Sequence, residues 1–145
     1  PEPAELSLYL EDDLVVQGEW RRLRWDPPCP ADGARWSAAV TGDDGAGTAA
    51  AALQAAAPPC APCVGAVAVD VALRFETTAG WLGGLSEVVA EVGVEHTAGA
   101  CRTRQRWQLT LAVDQGRRGD RATALAVTGR TVATHLKDAL ARARR

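Results

Sequence analysis

The chain contains no methionine, no isoleucine and no asparagine, and only one lysine (Lys137), one phenylalanine (Phe75) and one tyrosine (Tyr9). Without asparagine there is no acceptor for N-glycosylation. No stretch of about 18 uninterrupted apolar residues occurs, so no segment reads as a membrane-spanning helix. The opening residues, Pro1-Glu2-Pro3-Ala4-Glu5, have neither the basic start nor the apolar run of a secretory signal. The expectation is a soluble chain of unknown compartment, with an intracellular one slightly favoured. The missing residue types share AT-rich codons, and 29 alanines and fifteen arginines stand in their place, as in a GC-rich gene. Arginine used instead of lysine therefore records mutational pressure as readily as a need for bidentate phosphate contacts.

What remains is enough to fold. Of the 145 residues 47% are hydrophobic and 23% charged, far from the composition of disordered chains. A chain of this length supports one core without needing disulfides or a metal. We therefore expect residues 1–145 to form a single domain.

Leu6, Leu8 and Leu10 alternate with Ser7 and Tyr9, the period of a half-buried strand, and Glu11-Asp12-Asp13 supplies a turn. Leu14 to Trp25 is also strand-like, but its apolar parity changes between Trp20 and Trp25, which predicts a bulge or strong twist near Gly18. Three prolines within 27–30 end the ladder, and a short strand spans Arg35 to Thr41.

Residues 42–63 read as a low-complexity Gly/Ala/Pro insertion, either a linker or a short helix capped by Thr48 and stopped by Pro58-Pro59. Val67, Val69, Val71 and Leu73 then share one face of a strand from Val64 to Phe75. Residues 81–96 fit both periods; two adjacent glycines and a run of valines tip the reading to helix over 81–86 and strand over 87–96.

The clearest strand carries Thr103, Gln105, Trp107, Leu109, Leu111 and Val113 on one face and Arg102, Arg104 and Arg106 on the other. A turn through 115–120 is expected to lead into another strand over Arg121 to Thr128. From Thr131 onward Val132, Leu136 and Leu140 form a helical stripe, and Asp138 and Arg142 are spaced to pair. The predicted fold class is α+β, a single domain with a mainly antiparallel sheet of about six strands and a C-terminal amphipathic helix packed on one face.

The cysteines carry the most specific motif. Cys60-Ala61-Pro62-Cys63 has the spacing of half a zinc site, but Cys29 and Cys101, or His96 and His135, stand at no spacing that completes it, so no metal is expected. A thioredoxin-type role is disfavoured because the pair precedes a strand rather than opening a helix. Unpaired structural thiols are favoured over two disulfides, with compartment deciding between them.

Charge is uneven. Residues 1–72 carry eleven acids and four bases, net −7, and residues 73–145 carry seven acids and twelve bases, net +5. This marks Arg102, Arg104, Arg106, Arg142, Arg144 and Arg145 as a candidate partner-binding face. The competing reading pairs the three strand arginines with Glu87, Glu91 and Glu95 on a neighbouring strand. A pI of about 5.7 lies far below that of a typical nucleic-acid-binding domain. Trp20-Arg21-Arg22-Leu23-Arg24-Trp25 interleaves aromatic and cation as single-strand binders do, yet in a chain with one Phe and one Tyr its tryptophans are better placed as core fillers.

Catalytic motifs are sparse. Gly84-Leu85-Ser86-Glu87-Val88 begins like a nucleophile elbow but lacks the closing glycine, and a His96–Cys101 base and nucleophile pair has no identifiable third group. His135 reads as a half-buried side chain beside the helical stripe. The functional expectation is a non-catalytic interaction domain, leaning away from an enzyme, with no cofactor. Its partner is another protein, bound through a sheet edge or the basic C-terminal half. The alternative is a small apolar ligand or lipid held between the sheet and the C-terminal helix, and nucleic acid ranks third.

Overall fold

The computed structural model describes residues 5–11, 14–29, 33–76, 85–114 and 121–142. Six strands and two helices follow one another as β1 (Glu5–Glu11), β2 (Leu14–Trp25), β3 (Ala34–Gly42), α1 (Thr48–Ala56), β4 (Gly65–Glu76), β5 (Leu85–Ala98), β6 (Cys101–Asp114) and α2 (Arg121–Arg142). The strands form one mixed sheet in the order β1-β2-β6-β5-β4-β3. Every neighbouring pair is antiparallel except β3 and β4, which run parallel. A parallel pair needs a crossover, and α1 supplies it. The result is an α+β domain with α2 at its C-terminal end.

Alternation decides which face is buried. Val67, Val69, Val71 and Leu73 of β4, Val88, Ala90, Val92 and Val94 of β5, and Trp107, Leu109, Leu111 and Val113 of β6 all point to the helix-covered side. Helix α2 lays Val132, Leu136 and Leu140 into that layer, and α1 adds Ala49 and Leu53. The two helices meet closely at Gly129, where an added Cβ would collide with the Ala49 carbonyl and reach 2.9 Å from the Ala52 Cβ. Glycine here permits close helix approach at the cost of helix propensity.

Several expectations change. The ladder break in β2 lies between Arg22 and Arg24, not at Gly18, which pairs with Leu111 in unbroken register. The extra residue at the bulge reverses side-chain parity, so Trp20 and Trp25 both turn toward the core while Leu23 stays 53% exposed. Residues 121–128 are the first turns of α2 and not a strand. Strand β5 already begins at Leu85, and residues 81–84 lie outside the described residues.

Helix α1 is not capped by Thr48. Its N-cap is Gly47, in the left-handed region, and the Asp44 carboxylate accepts the N–H groups of Ala49 at 2.8 Å and Ala50 at 3.1 Å. Asp43 beside it accepts the Phe75 N–H at 2.8 Å and lies 3.6 Å from an Arg121 guanidinium nitrogen. What reads as a featureless acidic loop thus fastens α1, β4 and α2 together, satisfying donors that a helix start leaves open.

Candidate functional site

The helix-free face of the sheet carries the arginines singled out in the sequence. Antiparallel pairing sets Arg104 opposite Glu95, and Glu95 reaches both Arg102 and Arg104, each at 3.3 Å. Arg106 lies 3.5 Å from Glu91. These side chains are solvated, so each pair contributes little to stability, but together they neutralise much of the local positive charge. Arg142 sits on α2 and pairs with Asp138 at 3.0 Å, while Arg144 and Arg145 lie outside the described residues.

At the other end of the same face a groove of about 470 Å³ opens over β2 and β6. Leu6, Gln17, Gly18, Glu19, Glu87 and Thr110 line it. Leu6 is 82% exposed, because β1 pairs with β2 so that Leu6 stands opposite Glu19, on the side away from the helices. Its place in an alternating leucine pattern suggests half-burial, and the structure gives it no core to enter. Strand β1 also ends the sheet, and among the described residues no strand covers its outer edge. Alternation alone cannot tell which side of an edge strand meets the core, so the sequence pattern does not mark Leu6 as exposed.

Beneath the sheet Trp20, Trp25 and Trp107 serve the core. The His135 ring stacks on Trp20 with centroids 3.8 Å apart and planes 4° from parallel, and Trp107 meets both edge-on. Arg22 caps the outer member of the cluster, its guanidinium 4.3 Å from the Trp25 ring centre. His135 is more deeply buried than its sequence suggests, at 8% exposure, and its Nε2 has no hydrogen-bond partner among the described residues. Burial first, then the nearby Arg142 and Arg22, push its pKa from 6.5 down to about 4 against an upward pull from Asp138. The imidazole is therefore neutral over the physiological range and behaves as an aromatic core residue.

The cysteines form two bridges, Cys29–Cys101 and Cys60–Cys63, with Cα separations of 5.9 and 5.0 Å. This corrects the expectation of free thiols. It also removes the suggested His96–Cys101 nucleophile, since the Cys101 sulfur is already bonded. Among the described residues no three His, Cys, Asp or Glu side chains gather as metal ligands would. A smaller crevice of about 280 Å³ lies where Ala34 and Trp36 of β3, Pro58 and Pro59 face Lys137 and Leu140 of α2. No described helix is long and apolar enough to cross a membrane.

No protein-family model matches the sequence, and no curated protein matches it. Among solved structures, the chain is similar to a point variant of the PelC dodecamer from Paraburkholderia phytofirmans, with 20% identity over 82% of this chain and 96% of that one and a TM-score of 0.39.

Proposed function

We propose that this chain is a non-catalytic protein-interaction domain that receives an extended segment of a partner along the β1 edge and the groove beside it. The observation that carries this reading is Leu6, a large apolar side chain 82% exposed at the rim of the groove and next to an uncovered strand edge. An added strand would pair with the outer edge of β1, which no strand among the described residues covers, and the groove would take its side chains. The arginines of β6 fit the basic-face version less well, because Glu95 and Glu91 already hold them. The two bridges support an oxidising compartment.

The test is to select extended peptides on the oxidised protein from a display library and re-measure them on Leu6→Glu and on Thr134→Glu, the latter exposed on α2. Binders should weaken by about tenfold or more on the first variant, roughly 1.4 kcal/mol, and hold on the second. They should also protect β1 amides from hydrogen exchange. Binders indifferent to Leu6 that leave β1 unprotected would refute the reading.

A second reading, an apolar ligand with an anionic end, rests on the crevice between β3 and α2, where Trp36 and Leu140 meet the chain's single lysine. Titrating a medium-chain fatty acid should then perturb tryptophan fluorescence in the wild type and not in Lys137→Glu.

A further inference from the structure

The Cys60–Cys63 bridge serves neither the core nor the proposed groove. Cys29, half of the other bridge, is 0% exposed, and its bond to Cys101 closes a sequence separation of 72. Cys60 and Cys63 are separated by only 3 positions, and Ala61, Pro62, Cys63 and Val64 are all exposed. Closing so short a loop removes less freedom from the unfolded chain than closing the long one, so this bridge adds less to stability than Cys29–Cys101 does. The base of its loop is held without it, by the Val64 N–H donating to the Gly33 carbonyl at 2.8 Å. The bond can therefore open while the surrounding backbone stays in place.

We propose that Cys60–Cys63 is a thiol–disulfide exchange site, opened and closed by an external dithiol while Cys29–Cys101 stays shut. Exposure determines which sulfur is attacked. Cys60 is half-buried beside Gly33, whereas Cys63 faces solvent. A thiolate of the dithiol attacks the Cys63 Sγ, a mixed disulfide forms, and the Cys60 sulfur leaves as a thiolate. The second thiol of the dithiol, once deprotonated, attacks its own sulfur in the mixed disulfide and releases the Cys63 thiolate. The dithiol ends as a disulfide, its two electrons now on Cys60 and Cys63 and its two protons taken up by those sulfurs. The reverse sequence, with an external disulfide as oxidant, closes the bridge again. In the other bridge Cys29 is fully buried and Cys101 is half-buried, so neither of its sulfurs belongs to an exposed residue as the Cys63 sulfur does, which sets the two bridges apart.

The oxidised chain is incubated with graded dithiothreitol without denaturant, quenched with iodoacetamide and mapped by peptide mass spectrometry. Cys60 and Cys63 should be alkylated at reductant concentrations at least about tenfold below those that open Cys29–Cys101. Simultaneous opening, earlier opening of Cys29–Cys101, or resistance of Cys60–Cys63 until the chain is unfolded would overturn the proposal. A second measurement tests the direction of attack. With glutathione disulfide, Cys60→Ser, which leaves the exposed Cys63 thiol, should form a mixed disulfide several times faster than Cys63→Ser; equal or reversed rates would overturn the assignment of Cys63.

Discussion

The two faces of the sheet are built from the same strands and obey different physics. On the covered face β6 presents Trp107, Leu109, Leu111 and Val113, all at 2% exposure or less, to a layer completed by two helices. One residue along in each case, its open face presents Arg106, Gln108 and Thr110 to water. Stability resides in the first set, where apolar area leaves water and side chains pack against one another. The second is free to vary with little thermodynamic consequence, and binding surfaces can develop there. The comparison breaks most directly at adjacent residues. Leu109→Ala should cost roughly 2–5 kcal/mol, while Thr110→Ala beside it should stay within about 0.5 kcal/mol. Urea midpoints of the two variants measure the contrast, and equal losses would mean that the open face is covered in solution.

The covered face is also where pH acts. Between about pH 6.5 and 4 the unfolded chain binds a proton on His135 that the folded chain refuses. The unfolded state then holds more protons, so this residue's contribution to stability is intact above pH 6.5 and falls as the pH drops toward 4. At about 1.36 kcal/mol per pKa unit the loss approaches roughly 3 kcal/mol. His135→Phe retains a ring against Trp20 and has nothing to protonate. Relative to wild type it should gain stability steadily from pH 7 to 4, with the carboxylates common to both proteins cancelling. A constant difference would show that the imidazole is solvated.

Legibility in the sequence follows the same division. Strands β4 and β6 were readable because one face is continuously buried and the other continuously wet, so the period of two is undisturbed. The start of α2 was not, because Val127 and Thr128 favour strand locally and Gly129 resembles a breaker. Its reason is tertiary, the approach of α1. The parallel β3–β4 pair depended on recognising α1 in an alanine-rich stretch where composition suits a linker equally well. The capping acid Asp44 lies outside the usual position, so no sequence rule points to it. At the proposed site the sequence offers a sheet edge only as one option among several, and it carries no signal for the exposure of Leu6. The Cys29–Cys101 pairing depends on a distance between residues 72 positions apart that spacing does not encode.

Gly129 sharpens the point within the covered face. In an isolated helix Gly→Ala is favourable by about 1 kcal/mol. Here the new methyl meets α1 backbone, the Ala49 carbonyl and, at 2.9 Å, the Leu53 nitrogen. Gly129→Ala should therefore destabilise by roughly 1–3 kcal/mol as the helices are forced apart. A thermal melt that rises instead would mean that the two helices separate easily.

The smallest effect belongs to the open face, at Glu95. Its carboxylate is shared between Arg102 and Arg104, and about one third of its side chain is exposed, 35%, against 65% and 54% for the arginines. Pairs this wet are screened by solvent and salt, and ordering the long side chains offsets much of the attraction. Glu95→Gln removes the charge and keeps the shape, so stability should fall by less than about 1 kcal/mol at low salt and by less still at high salt. The same change uncovers two guanidinium groups on a face whose local charge had been close to balanced. If the arginines only hold the sheet face together, Glu95→Gln leaves the association behaviour of the chain unchanged. Salt-sensitive binding to an acidic polymer such as polyglutamate, gained by Glu95→Gln and absent from wild type, would show that the glutamate ladder masks this surface rather than braces it. Binding already strong in wild type, and lost on Arg102→Ala with Arg104→Ala, would instead move the interaction surface from the β1 edge to the arginine ladder.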